Sequence, residues 1–195
     1  FPLLYSFRGF QYCDLLLGQG KYQEVQSRAG QTIEIAKKYL GRGLGLHDIA
    51  LDYLSLGRAH LMQAQSTLTL PSPLKGEGWG EGAAAHLDRA VDGLRQAGRQ
   101  DYVPLGLLAR AELHRVMGTL DKAQRDLDEA FSIATRGGMR LHEADCHLEY
   151  ARLFIASGEK DKAREHFDIA KKMIEEIGYH RRDGECQRIL QQING

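Results

Sequence analysis

The sequence has no excess of either charge, too few cysteines for a disulfide framework, and no apolar run approaching the roughly 20 residues a membrane span needs. Lysine and arginine total 26, aspartate and glutamate total 26, and the eight histidines are scattered between positions 47 and 180. With no global field to attract them, neither nucleic acid nor a membrane is an expected partner. Cys13, Cys146 and Cys186 are odd in number and far apart, which argues for a reducing compartment and a cytoplasmic location. The opening FPLLYSF lacks the basic start and long apolar centre of a signal peptide. It begins with Phe1 instead of Met, which leads us to expect a segment of something longer.

Catalytic spellings are equally scarce. The glycines of GEGWGEG have no following Lys-Ser/Thr and no preceding strand, so neither the phosphate loop nor the dinucleotide fingerprint is met. LHEADCHLEY (141–150) sets His142 with Cys146 and Glu143 with His147 one helical turn apart, but two ligands per face make half a zinc site and the His-Glu-x-x-His spelling is missed. Neither a metal nor any other cofactor is expected, and the chain is not expected to be an enzyme. Cys13 and Cys146 read as small packing residues.

What is present is self-similarity. The stretches 107–134 and 147–173 each carry a small residue (Ala111, Ala151), Gly seven later (Gly118, Gly158), then Asp-Lys-Ala, an apolar residue (Leu127, Phe167) and Ala (Ala130, Ala170), all offset by 40 residues. A weaker copy over 9–36 places Cys13, Gly20, Val25, Ala29 and Thr32 at the same relative positions. A fourth copy is split: YLSLGRAHLMQA (53–64) has Gly57 at the small position, and AAAHLDRAVDGLRQA (83–97) has Ala83, Leu87 and Ala90. Ala64 and Ala83 are 19 apart where the other copies need 5, so removing 14 residues restores the register. The stretch 66–82, with Pro71, Pro73 and its glycines, therefore reads as a loop inserted between two antiparallel helices, where no helical hydrogen bonds are required. PSPLKGEGWGEG resembles translated bacterial interspersed repeat DNA. It reads as a passenger loop that costs little closure entropy, although Trp79 could fold back on the helices or touch a partner.

The pattern resembles the tetratricopeptide repeat, most fully in the last copy at Tyr150, Ala151, Phe154, Gly158, Ala163, Phe167 and Ala170. The third copy departs from it with Arg110 for Leu and His114 for Tyr, and the first has Val25 for Ala. His60 and His114 both stand where that family has Tyr, which predicts structural imidazoles between helices. The resemblance implies an all-α fold, a right-handed superhelix of antiparallel helix pairs in a single repeat domain over 1–195. Its repeats are expected at about 3–40, 44–98, 101–137 and 140–178, with a capping helix over 179–193. Small residues at 57, 111 and 151 would let paired helices approach closely.

The resemblance also implies a concave groove that binds a protein or peptide, and it carries over Phe10, Gln11, Asp14, Leu54, Ser55, Arg58, Leu108, Glu112, Arg115, Leu148, Glu149 and Arg152 as its lining. Arg58, Arg115 and Arg152 would give a peptide ionic hydrogen bonds, with Asp14, Glu112 and Glu149 adding specificity. Against this, Glu112 with Arg115 and Glu149 with Arg152 are three apart and can satisfy one another along a helix. The Lys, Asn and Arg clamp of the chaperone-binding subset is not at the matching positions. The chain is similar to the C-terminal repeat superhelices of bacterial STAND-type signalling ATPases, which implies a sensor or regulatory role behind a nucleotide-binding switch. A free-standing scaffold or adaptor is the alternative, and an upstream phosphate-binding loop in the gene would decide between them. The apolar start FPLLYSFRGFQY predicts an upstream neighbour or a partner chain covering it, and a homodimer through exposed apolar ends is the corresponding assembly.

Overall fold

The structure, a computed structural model, describes residues 6–38, 45–68 and 79–195. All regular structure among them is helical, and the chain divides into two compact units, Phe1–Gln100 and Asp101–Gly195. The first holds α1 (Ser6–Gly18), α2 (Tyr22–Lys38), α3 (Leu46–Leu68) and α4 (Trp79–Gln96). The second holds α5 (Val103–Val116), α6 (Leu120–Arg136), α7 (Arg140–Ser157), α8 (Lys160–Ile177), a 3-10 turn over His180–Arg182 and α9 (Asp183–Asn194). Helices adjacent in sequence pack on one another within each unit, and α3 and α7 also meet the first helix of the preceding pair, α1 and α5.

Glycine stops the helices. Gly158 takes φ 83°, a left-handed conformation that any side chain would strain, and there Glu159 N–H reaches back to Phe154 O at 2.8 Å to satisfy the last turn of α7. Gly98, Gly118, Gly138 and Gly178 repeat the device, so a left-handed glycine recurs every 20 residues from 98 to 178, between pairs as well as within them. The helix-plus-turn is thus half of the 40-residue period. Within pairs, the apolar positions of the second helices bury the stripe of a 3.6-residue period, as at Ala163, Phe167, Ala170 and Ile174. These close on Ala144, Leu148 and Ala151 of α7 and on Cys186, Ile189 and Ile193 of α9 in one apolar cluster. Phe167 and Leu148 are each worth about 2 kcal/mol in apolar area removed from water.

In the first unit the close approach falls at Gly57. A Cβ there would lie 2.6 Å from Leu87 Cγ and 3.3 Å from Leu87 N, so α3 and α4 meet backbone to backbone. The stretch 66–82, read from sequence as loop, is helical at both ends: α3 runs on to Leu68 and α4 starts at Trp79. Gly80, Gly82 and the polar tail of α3 extend helices already nucleated by their packed turns, so local glycine content did not set the boundary. Residues 69–78 of that stretch, like Phe1 and Leu4 of the apolar start, lie outside the described residues.

Candidate functional site

Helix α7 is touched by α5, α6, α8 and α9, and every residue from Ala144 to Ala151 is buried. That run includes Asp145, His147 and Glu149, polar groups that must find partners once water is excluded. On the face carrying Asp145, Glu149 and Arg152, positions three and four apart, they do so through a chain of ion pairs. Arg115 of α5 donates from Nε to Glu149 Oε1 at 2.6 Å. Arg152 donates from Nη1 to Glu149 Oε2 at 2.8 Å and from Nη2 to Glu185 of α9. Arg182 donates to the other oxygen of Glu185 at 2.6 Å and to Asp145 at 2.8 Å, and Tyr179 O–H approaches Asp145 at 3.4 Å. Three helices and the 3-10 turn are therefore joined by alternating charges.

Electrostatically the chain of pairs is tight. Burial opposes the charge on Arg152 and on Arg182, yet Glu149 with Glu185, and Asp145 with Glu185, hold the two guanidiniums more firmly protonated than usual. Burial would raise the Glu185 carboxyl, but Arg152 and Arg182 overcome it and hold it below the ordinary range. The Tyr179 phenol is pushed up by burial and by Asp145.

In the first unit, Arg58 Nη2 of α3 meets Asp14 Oδ1 of α1 at 2.8 Å in a pair of the same kind. Asp14, Arg58, Glu112 and Arg152 share one register position of the four copies, each directly following the small residue at 13, 57, 111 or 151. The charge at that position alternates along the chain. Acid and arginine pair between first helices in the first unit, and Glu112 adds to the field that holds Arg152 charged in the second.

Of the residues carried over as groove lining, the structure buries Leu54, Ser55, Leu148 and Glu149 almost fully and Phe10 nearly so. Ser55 spends its hydroxyl on Leu51 O at 3.0 Å. Gln11 is exposed, and Asp14, Arg58, Leu108, Glu112, Arg115 and Arg152 are partly exposed. The helix-surface pairing foreseen for Glu149 with Arg152 is present, and Arg115 also reaches Glu149 on the next first helix. Sequence reasoning missed Asp145, Arg182 and Glu185 altogether. The signal for Arg182 and Glu185 was the acid-and-base spacing of RRDGE in the capping segment, which makes sense only once α9 lies against α7.

The histidines have separate surroundings. His60 of α3 stacks on His86 of α4 with ring centroids 5.4 Å apart, and Tyr53 stacks on the same His86 at 5.8 Å. His114 lies 3.9 Å from Asp126. His147 does not turn toward Glu143: its Nδ1 faces His166 Nδ1 of α8 at 2.9 Å. Among the described residues no group of three histidines, cysteines or carboxylates is placed to hold a metal ion. Cys146 is fully buried and its thiol is pushed up, first by burial and then by Asp145. No helix among the described residues is long and apolar enough to cross a membrane. Comparison with family models, with curated proteins and with solved structures finds no match to this chain.

Proposed function

We propose that the chain is a protein-binding repeat module of the tetratricopeptide kind, the sensor or regulatory part of a larger bacterial signalling protein, and that its ligand is a peptide or protein segment. The observation that supports this is the coupling of successive first helices, α1 with α3 and α5 with α7, by side chains of alternating charge. Such coupling orders a row of partly exposed polar groups before any ligand arrives, and a pre-ordered surface loses less entropy on binding. The arginines are already engaged by carboxylates. A ligand is therefore read by the outer edges of the ion pairs and by the open positions beside them, Gln11 and Leu108, more than by bare guanidinium forks.

A photo-crosslinking amino acid placed singly at Gln11, Leu108 or Lys172 tests the reading in cells of the source organism. Lys172 lies on the second helix α8 with its side chain 80% exposed and serves as the off-face control. Adducts to the same protein from positions 11 and 108, and none from 172, support recognition by the first helices. Adducts from 172 alone would move the binding surface to the second helices and remove the proposal.

A further inference from the structure

We propose that His147 and His166 form an acid-sensitive latch between α7 and α8, one that keeps its hydrogen bond when the pair takes up one proton and loses it with the second. The two Nδ1 atoms face each other at 2.9 Å, hydrogen-bond distance, so in the neutral pair one Nδ1–H donates and the other ring accepts on its lone pair. The donor ring then carries an unprotonated Nε2. A first proton goes there, makes the donor an imidazolium, and leaves the Nδ1–H···Nδ1 bond intact and charge-assisted. A second proton has only the accepting Nδ1 lone pair to take. It removes the acceptor and sets two cations against each other.

The surroundings make that second step costly. His147 is buried, and the pair sits among rings: Phe131 of α6 meets His147 edge-on at 5.1 Å, and Tyr150 and Phe154 of α7 lie 4.8 and 5.4 Å from His166. The charged groups facing the pair are Asp128 of α6, which accepts the Tyr150 O–H at 2.6 Å, and Glu165 and Lys162 of α8, the last lying over the Phe154 ring. From α5, the 3-10 turn and α9, the groups meeting α7 include Glu112, Arg115, Arg182 and Glu185, which act on the Asp145–Glu149–Arg152 face. Burial holds His147 down at about 4, with His166 adding to it, and burial also lowers His166. The histidine pair of the first unit makes no such bond: His60 and His86 stack, and His60 Nδ1 faces Gln26 Nε2 at 3.4 Å.

Side-chain nitrogen NMR of the full chain, recorded with amide hydrogen exchange from pH 7.5 to 3.5, reads the latch directly. Expected are two separated imidazole titration steps for the 147/166 pair. Amide protection in the first turns of α8 should hold through the first step and fall at least tenfold through the second. His166→Gln, which keeps a hydrogen-bonding side chain without titrating near neutrality, should make the α8 protection nearly flat over this range. Independent titration of both rings near pH 6.5, or unchanged α8 protection through the second step, would overturn the proposal. Should His166→Gln not fold, the two-step titration of the wild-type pair decides alone.

Discussion

The Arg110 guanidinium grips both carboxylate oxygens of Asp126, from Nε at 2.8 Å and from Nη2 at 2.7 Å, across the α5–α6 pair. Both side chains are largely buried, 16% and 10% exposed, so the ions depend on each other and not on water. Arg110→Leu, which restores the residue the repeat pattern favours, leaves Asp126 without its fork and should cost about 3 kcal/mol. Adding Asp126→Ala removes the stranded charge, and the double variant should recover to within about 1 kcal/mol of wild type or above it. Denaturant unfolding of the four proteins of this cycle measures the recovery. A double variant as unstable as Arg110→Leu would mean that the arginine stem, not the ion pair, matters here.

The same cross-helix place explains why the repeat is faint in sequence. In the four copies it is occupied by Tyr12 with Arg28, Leu56 with His86, Arg110 with Asp126, and Tyr150 with His166. The first is a guanidinium 4.6 Å over a ring, the third an ion pair, the fourth a tyrosine and an imidazole 4.8 Å apart. In the second, His86 stacks on Tyr53 and His60 instead. Three chemistries fill one geometry in the first, third and fourth copies, and the second fills its own with a histidine stack, so identity is lost while helix still meets helix. The small anchors at 13, 57, 111 and 151 are legible because close approach of two helices admits few residues. Arg110 and His114 looked like departures from the pattern because their partner, Asp126, lies on the other helix of the pair. For the candidate surface, the positions on the first helices could be read from the register, but burial of Leu54 and Leu148 follows from the helices packed around α3 and α7, which no local pattern records.

Gly57 and Gly30 should respond to alanine with opposite signs. Both lie inside helices, where alanine gains about 1 kcal/mol over glycine. A Cβ at Gly30 meets nothing within 4 Å, so Gly30→Ala should raise stability by about 0.5–1 kcal/mol. At Gly57 the same atom would lie 2.6 Å from Leu87 Cγ and Cδ2, and pushing α3 from α4 costs about 1–3 kcal/mol, more than the helix gain. Thermal unfolding should show Gly57→Ala below wild type and Gly30→Ala above it.

Asp52 gives the first unit a pH dependence opposite to that of the latch. It is buried on α3, and burial, with some help from Asp48, lifts its carboxyl to about 7 from the usual 3.8. A folded value above the unfolded one means that the folded state holds the proton more tightly. The contribution is therefore fully present below about pH 4 and lost as the pH rises through about 7. Its full span is on the order of 4 kcal/mol. His147, held down at about 4, contributes in the opposite sense: its share is present above about pH 6.5 and lost as the pH falls toward 4. Asp52→Asn should be more stable than wild type at pH 8 and lose that advantage by pH 5, in amide exchange of α3. An advantage independent of pH would show that the carboxyl is ordinary in the folded chain.

Glu149 is the group on which the second unit's ion pairs converge. It accepts from Arg115 and Arg152 at once, one arginine per oxygen, and its side chain is 6% exposed. Glu149→Ala removes both acceptors and leaves two largely buried guanidiniums short of a carboxylate, the case in which breaking a buried pair costs about 3–5 kcal/mol. Arg152 keeps Glu185, so the lower end of that range is the expected value. By contrast Asp14→Ala breaks a pair whose members are each about a quarter exposed, and there water replaces the partner at a cost below about 1 kcal/mol. Residue-resolved hydrogen exchange separates the two changes, because Glu149→Ala should lower protection in α5, α7 and α9 together, whereas Asp14→Ala should touch only α1 and α3. If α9 keeps its protection in Glu149→Ala, Arg152 and Arg182 hold Glu185 without help from Glu149, and the alternating chain is two separate clusters.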